Sequence, residues 1–266
     1  MTETFQKTIY FASDFHLGAP NKSISLEREK MICAWMDSIF PSCEALYLVG
    51  DIFDFWFEYK HAIPKGFVRL QGKIAQFTDA GIPVHWFTGN HDMWIFDYIP
   101  NELGVTIHRE PLSISMHGKK YYIAHGDGLG PGDVKYKLLK NIFSSKIIQS
   151  LFAFIHPNIG IGFAGFLSKR SRAKTGHLDE FFLGESEEWL IQYSIEIQAR
   201  NKHDYYVYGH RHLPFHYPLN EAIYVNLGEW LYNQTFAVIE NGELLLKQWN
   251  GLSSVDFNSS VIPSKS

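Results

Sequence analysis

Cysteine is almost absent from this chain: Cys33 and Cys43 are the only two in 266 residues. They are too few for a disulfide framework and lack the C-x-x-C spacing of a zinc or redox site, so two buried thiols in a reducing compartment are expected. Long apolar runs are missing too. The greasiest stretch, 147–167, is broken by Gln149, His156, Pro157 and Asn158, and falls short of the roughly 20 apolar residues that cross a bilayer. Residues 1–7 are polar and hold no signal-peptide core, which points to the cytoplasm. Nor is there an excess of positive charge. The 24 Lys and Arg against 28 Asp and Glu give a formal charge of −4, so the molecule is no polycation and no nucleic acid partner is expected. Internal repeats and low-complexity tracts are absent as well. What is present is an ordinary globular composition, 45% hydrophobic and 20% charged, which excludes disorder for the bulk of the chain.

Six short runs share one layout, in which β-branched and aromatic residues end abruptly in a polar cluster: 8–12, 45–49, 83–87, 120–124, 205–208 and 222–225. Apolar runs of that length read as buried strands. Between the early ones lie segments with apolar residues at three- and four-residue spacing, 26–39 and 67–80, which read as helices. Strand, helix, strand predicts an α/β core, with reactive groups just beyond the carboxyl ends of the strands. Asn241-Gly242 between apolar runs predicts a hairpin, and the Ser-rich stretch from 253 a loose tail.

The segment 131–175 stands apart, with eight basic residues (Lys135, Lys137, Lys140, Lys146, Lys169, Arg170, Arg172, Lys174) and one acid, Asp133; the rest of the chain holds 16 bases and 27 acids. Leu138/Ile142, Leu139/Phe143, Ile147/Leu151 and Ile148/Phe152 pair at i,i+4. The segment reads as a basic, amphipathic helical insert.

The polar clusters supply the chemistry. In order they are Asp14-Phe-His16, Gly50-Asp51 with Asp54, Gly89-Asn90-His91-Asp92, His125-Gly-Asp127 and Gly209-His210-Arg-His212. In locally extended backbone, alternate residues point the same way, so each Asp-x-His or His-x-His pair can present two ligands to one centre. Carboxylates, imidazoles and an amide oxygen without thiolate suit Mn, Fe, Zn or similar divalent ions. The set has room for two metal ions.

Five such clusters in this order, from about Thr8 to Asn226, resemble the calcineurin-like metallophosphoesterase family. The resemblance implies an α/β, four-layer αββα sandwich of two mixed β-sheets spanning 1–252, with a helical lid insert at about 131–178 and a flexible tail at 253–266. It implies that Asp14, His16, Asp51 and His212 hold one metal ion, and that Asp51, Asn90, His125 and His210 hold the other, most readily Mn. Asp51 would bridge. His91, beside Asn90, would touch the phosphoryl oxygen or protonate the leaving group. Asp54, Asp92 and Asp127 would support these groups, Asp92 by orienting a histidine. Within the family, the stretches 13–18, 50–56 and 125–133 and the Lys-Arg-Ser-Arg at 169–172 are similar to members that split UDP-2,3-diacylglucosamine in bacterial lipid A synthesis. Their helical lid cradles acyl chains. That similarity implies a nucleotide-diphospho-lipid substrate, substrate contacts from His91, Asp133 and Ser171, and peripheral contact with the inner face of the cytoplasmic membrane. Those members carry Arg where this chain has His91, which leaves open a soluble phosphodiesterase or nucleotide pyrophosphatase. A protein-binding scaffold without turnover is the reading of another class, opposed by the complete ligand set.

Overall fold

The computed structural model describes residues 7–131, 134–163, 165–166 and 181–257. Among these, twelve strands form two sheets. The larger has the order β12-β11-β10-β1-β2-β3-β4 and contains β1 (Thr8–Ala12), β2 (Cys43–Val49), β3 (Val84–Phe87), β4 (Thr106–His108), β10 (Thr235–Glu240), β11 (Glu243–Trp249) and β12 (Ser254–Asp256). The smaller has the order β5-β6-β7-β9-β8 and contains β5 (Leu112–Met116), β6 (Lys119–Ala124), β7 (Tyr205–Tyr208), β8 (Phe215–Leu219) and β9 (Ala222–Asn226). Both are mixed: β1 to β4 run parallel while β10 is antiparallel to β1, and β6, β7 and β9 run parallel while β5 and β8 are antiparallel edges.

The period-2 alternation of the strands builds the layers. Ile9 and Phe11 of β1, with Ala45, Tyr47 and Val49 of β2, pack against Tyr121 and Ile123 of β6 and Val207 of β7, forming the core between the sheets. The alternate residues, Tyr10, Ala12, Leu46 and Leu48, face the other way. They pack on helices α1 (Lys22–Ile39), α2 (Val68–Asp79) and α3 (Tyr98–Leu103) through Trp35, Met36, Ile74 and Ile99. On the far side, Tyr122, Tyr206 and Tyr208 pack on Leu190 and Ile191 of α6 (Trp189–Arg200). Helix, sheet, sheet and helix are therefore four layers, and this is the αββα sandwich expected from the sequence.

Helix α1 starts four residues earlier than its apolar periodicity suggests, because the Asn21 side chain accepts the Ile24 N–H at 3.1 Å and caps the helix. Strand β8 escapes the sequence pattern because it contains Pro218, a residue tolerated at a sheet edge. The stretch expected to be loose from 253 is partly paired. Residues 254–256 pair with β11, Val255 opposite Gln248, after a turn in which the Asn250 side chain accepts the N–H groups of Leu252 and Ser253 at 2.9 Å. The remainder of that tail lies outside the described residues.

The insert begins with α4 (Val134–Ser144) and α5 (Lys146–Ala153), and residues 157–163 are helical again. Its paired apolar positions divide between two faces. Phe143 and Phe152 turn inward onto an aromatic shelf, with Phe152 4.8 Å from Trp94 and 4.7 Å from Phe57, and the Trp94 indole N–H donates to the Phe143 carbonyl at 2.9 Å. Leu138, Ile142, Ile147 and Leu151 remain exposed, as do Phe154, Ile159, Phe163 and Phe166.

Candidate active site

Every polar cluster lies at the carboxyl end of a strand, as open α/β sheets place their chemistry. Asp14 and His16 follow β1, Asp51 follows β2, Asn90 follows β3, His125 follows β6, and His210 and His212 follow β7. The loops are stitched to one another: Asp14 N–H donates to the Gly50 carbonyl and His16 N–H to the Asp51 carbonyl, both at 3.0 Å, and Gly209 N–H donates to the His125 carbonyl at 3.0 Å. The Asp14 carboxylate joins the sheets, its Oδ2 accepting the His210 N–H at 3.0 Å.

The ligand pairs do not converge through extended backbone. Asp14, His16, Asp51, His210 and His212 all have positive φ, between 43° and 63°, so left-handed turns swing these side chains inward. Non-glycine residues rarely adopt that conformation, and its clustering marks strain held by the surrounding fold. Glycine supplies the close approaches. A Cβ on Gly50, at φ +85°, would lie 2.6 Å from His125 Cγ and nearer still to its Nδ1, and one on Gly209 2.5 Å from Asp14 Oδ2.

The structure brings all seven expected ligands to one edge. Asp14, His16 and His212 present ligand atoms within 4.8 Å of one another, as do Asp51, His125 and His210. Asp51 Oδ1 accepts the His91 N–H at 2.8 Å. Its Oδ2 lies 3.3 Å from His125 Nε2 and 4.0 Å from His16 Nε2 and His91 Nε2, a central position suited to a bridge. Asp14 Oδ1, Asn90 Oδ1 and His125 Nε2 are buried without hydrogen-bond partners. Buried polar atoms are ordinarily paired, so these three unpartnered atoms, two oxygens and an imidazole nitrogen, fit divalent cations. His125 Nδ1–H donates to the Val49 carbonyl at 2.8 Å, which turns Nε2 toward the centre.

Electrostatics favour positive charge here. Burial alone would raise the Asp14 and Asp51 carboxyls, but the surrounding imidazoles outweigh it and hold both below the usual range. Burial pulls the His125 imidazole down, yet Asp51, and then Asp14 and Asp127, drive it up to about 10. Burial lowers His210 and His91 to about 4. His91 Nδ1 lies 2.8 Å from the Asp54 carbonyl oxygen, which it reaches as N–H donor. Its Nε2 then faces Asp51, and its ring meets that of His16 edge-on at 4.9 Å.

The three supporting carboxylates differ from one another. Among the described residues Asp92 meets no histidine: its oxygens accept the N–H groups of Ile52 at 2.9 Å and Gly89 at 2.7 Å and the Trp86 indole N–H at 3.3 Å. Fully buried, and close to the Asp51 charge, its carboxyl is pushed up to about 7. Asp54 Oδ1 lies 3.8 Å from Nδ1 of both His16 and His91. Asp127 grips the insert instead, accepting from the Tyr136 hydroxyl at 2.7 Å and pairing with Lys140 at 2.7 Å. Asp133 and Ser171 lie outside the described residues. A cleft of about 710 Å³ runs from His125 and Asp127 to the insert, where Lys137, Lys140 and Lys146 line it opposite Arg109.

Two arginines escaped the sequence reading. Arg28, buried on α1, donates to the carbonyls of Phe15, His16 and Ala19 at 2.9 to 3.1 Å and so braces the first ligand loop. Arg211, between His210 and His212, forks onto Glu188. The available signal was position: Arg28 falls on the apolar face of an amphipathic helix, where a charge needs partners.

The calcineurin-like phosphoesterase family pattern matches residues 7–214. The chain belongs to that family. Among proteins similar to this phosphoesterase, one from Porphyromonas gingivalis, named UDP-2,3-diacylglucosamine hydrolase, is 35% identical over 90% of the chain and 96% of its own length. Proteins of the same name from Histophilus somni and Vibrio vulnificus are 24% and 25% identical, over 88% and 84% of this chain and 96% and 90% of theirs. As a member of the family this phosphoesterase is a metal-dependent hydrolase. When bound, divalent ions would supply Lewis acidity and would lower the pKa of a water for attack on phosphorus. Asp14, His16 and His212, and Asp51, His125 and His210, form the groups that would hold such ions. Among the described residues, no helix is long and apolar enough to cross a membrane.

Proposed function

We propose that this phosphoesterase hydrolyses the pyrophosphate of UDP-2,3-diacylglucosamine, giving UMP and 2,3-diacylglucosamine 1-phosphate, with two divalent ions, most readily Mn. The observation that carries the reading is the 35% identity over nearly the whole length of the Porphyromonas gingivalis protein of that name. The geometry supports it. A diphosphate substrate needs cations beside the metal ligands, and Lys137, Lys140, Lys146 and Arg109 line the cleft that leads from His125. Acyl chains need apolar surface, and the insert leaves Leu138, Ile147, Leu151, Phe154, Ile159 and Phe163 exposed. In this reading the segment 131–178 is a lid on a domain spanning 1–252, and its apolar face rests on the cytoplasmic leaflet of the inner membrane. Asp14, His16, Asp51 and His212 hold one ion, and Asp51, Asn90, His125 and His210 the other. His91 touches the phosphoryl oxygen or protonates the leaving group, Asp133 contacts the sugar or the part of the substrate nearest the lid, and Ser171 contacts a polar substrate group.

Purified protein loaded with Mn should release UMP from the lipid substrate, and Asp51→Ala or His125→Ala should abolish release. Intact, metal-loaded protein that hydrolyses soluble aryl phosphodiesters but releases no UMP would remove the substrate assignment and leave the reaction class.

A further inference from the structure

The insert is fastened at both ends to loops that carry the ligand histidines. At its entry, α4 reaches the loop of His125: Lys140 Nζ meets the Asp127 carboxylate at 2.7 Å and donates to the Asp127 carbonyl at 2.9 Å, while the Tyr136 hydroxyl donates to Asp127 Oδ2 at 2.7 Å. At its exit, the chain returns through residues 181–188 to α6, and this return is tied to the loop of His210 and His212. Arg211, between them, is 2% exposed, and Glu188 is 1% exposed. The guanidinium meets the carboxylate in a fork, Nε to Oε2 and a terminal nitrogen to Oε1, both at 3.1 Å, and the same nitrogen donates to the Phe181 carbonyl. Glu188 Oε1 also accepts the Leu183 N–H at 3.2 Å. A buried, bidentate pair is geometrically specific, and losing one partner leaves an uncompensated charge, so the return segment and the ligand loop move as one piece.

From this double attachment we propose that the insert and the cation pair are coupled: cations gripped by His125, His210 and His212 hold the insert in place over the cleft, and a seated insert tightens cation binding. Asp127 and Arg211 are positioning residues in this scheme, acting through the histidines beside them. The coupling rests on the assignment of those histidines as cation ligands. Linkage makes it reciprocal, the factor by which the cation steadies the insert being the factor by which the seated insert raises cation affinity.

The test is hydrogen exchange by mass spectrometry on the full chain with and without Mn, paired with calorimetric Mn titration. Mn should slow exchange in peptides covering α4, α5 and 181–188 by about fivefold or more. In the double variant Tyr136→Phe/Lys140→Met the slowing at α4 should vanish while Mn still binds; the variant strips the buried Asp127 carboxylate of both partners, so a circular dichroism spectrum and melting temperature like the parent's are required alongside. Arg211→Lys keeps the charge without the fork, and should weaken Mn binding by a similar factor with an unchanged circular dichroism spectrum. If Mn binds and the insert exchanges at the same rate, or if the double variant responds as the parent does, the coupling is wrong while the ligand assignment stands. If the parent binds no Mn, both fall.

Discussion

Gly89 offers the sharpest test of how closely the ligand loops are packed. A Cβ added there would sit 2.6 Å from the Asp51 backbone nitrogen and 2.8 Å from Asp51 Cγ, where ordinary contact begins near 3.4 Å. Asp51 has little freedom to retreat, since its Oδ1 is held by the His91 N–H and Gly89 N–H is itself held by Asp92. Relief of the clash therefore moves the Asp51 carboxylate by roughly 0.7 Å in a close-packed interior. A misplacement approaching 1 Å at a reacting centre costs on the order of 30- to 100-fold in rate, and the overpacking itself about 1–3 kcal/mol of stability. Gly89→Ala should then lose about 30- to 100-fold in kcat on an aryl phosphodiester, with a melting temperature lower by about 3–10 °C for a chain of this size. Gly72→Ala is the control: it lies inside α2 with nothing within 4 Å of the added carbon, and should stabilise by about 0.5–1 kcal/mol with kcat unchanged. Full activity in Gly89→Ala, measured with saturating Mn, would refute the packing argument.

Other perturbations follow from the same geometry. Arg28→Met strands three buried carbonyls, and should destabilise by about 3 kcal/mol or more, seen as an early urea midpoint; a midpoint like the parent's would deny the brace. The raised His125 imidazole carries a proton that a cation must displace, so Mn affinity should rise with pH toward 10, and binding at neutral pH should release protons, detectable as heats that depend on the buffer's ionisation enthalpy. His85 and His108 touch at 3.0 Å, and burial, followed by the neighbouring His108, lowers His85 to about 4. A depressed histidine gives stability that is present above the ordinary value of 6.5 and lost as pH falls toward 4, about 2 kcal/mol after allowing for partial exposure. His85→Gln should flatten that acid slope, and an unchanged slope would assign it elsewhere. Chelation with EDTA should lower the melting temperature, since a ligand that binds the native state stabilises it, and re-addition of Mn should restore it.

The residues of this chain determine by themselves the ligand chemistry, the order of the clusters, the buried strands that end in them, and the charged, amphipathic character of the insert. Each is local: a run of apolar residues stopping at Asp51 or His125 reads the same in any context. Tertiary structure decided the rest. The Asp-x-His and His-x-His pairs converge through left-handed turns, because backbone hydrogen bonds between loops hold conformations that local preference disfavours. Asp92 serves backbone amides and an indole rather than a histidine, and Asp127 serves the insert, because a carboxylate's partners come from whatever segment packs against it. Strand β8 hid behind a proline that only an edge position makes harmless. His16 and His212, 196 residues apart, place their Nε2 atoms 3.1 Å from one another. Contact across such a distance is a property of the folded sheets, since no periodicity along the chain encodes it.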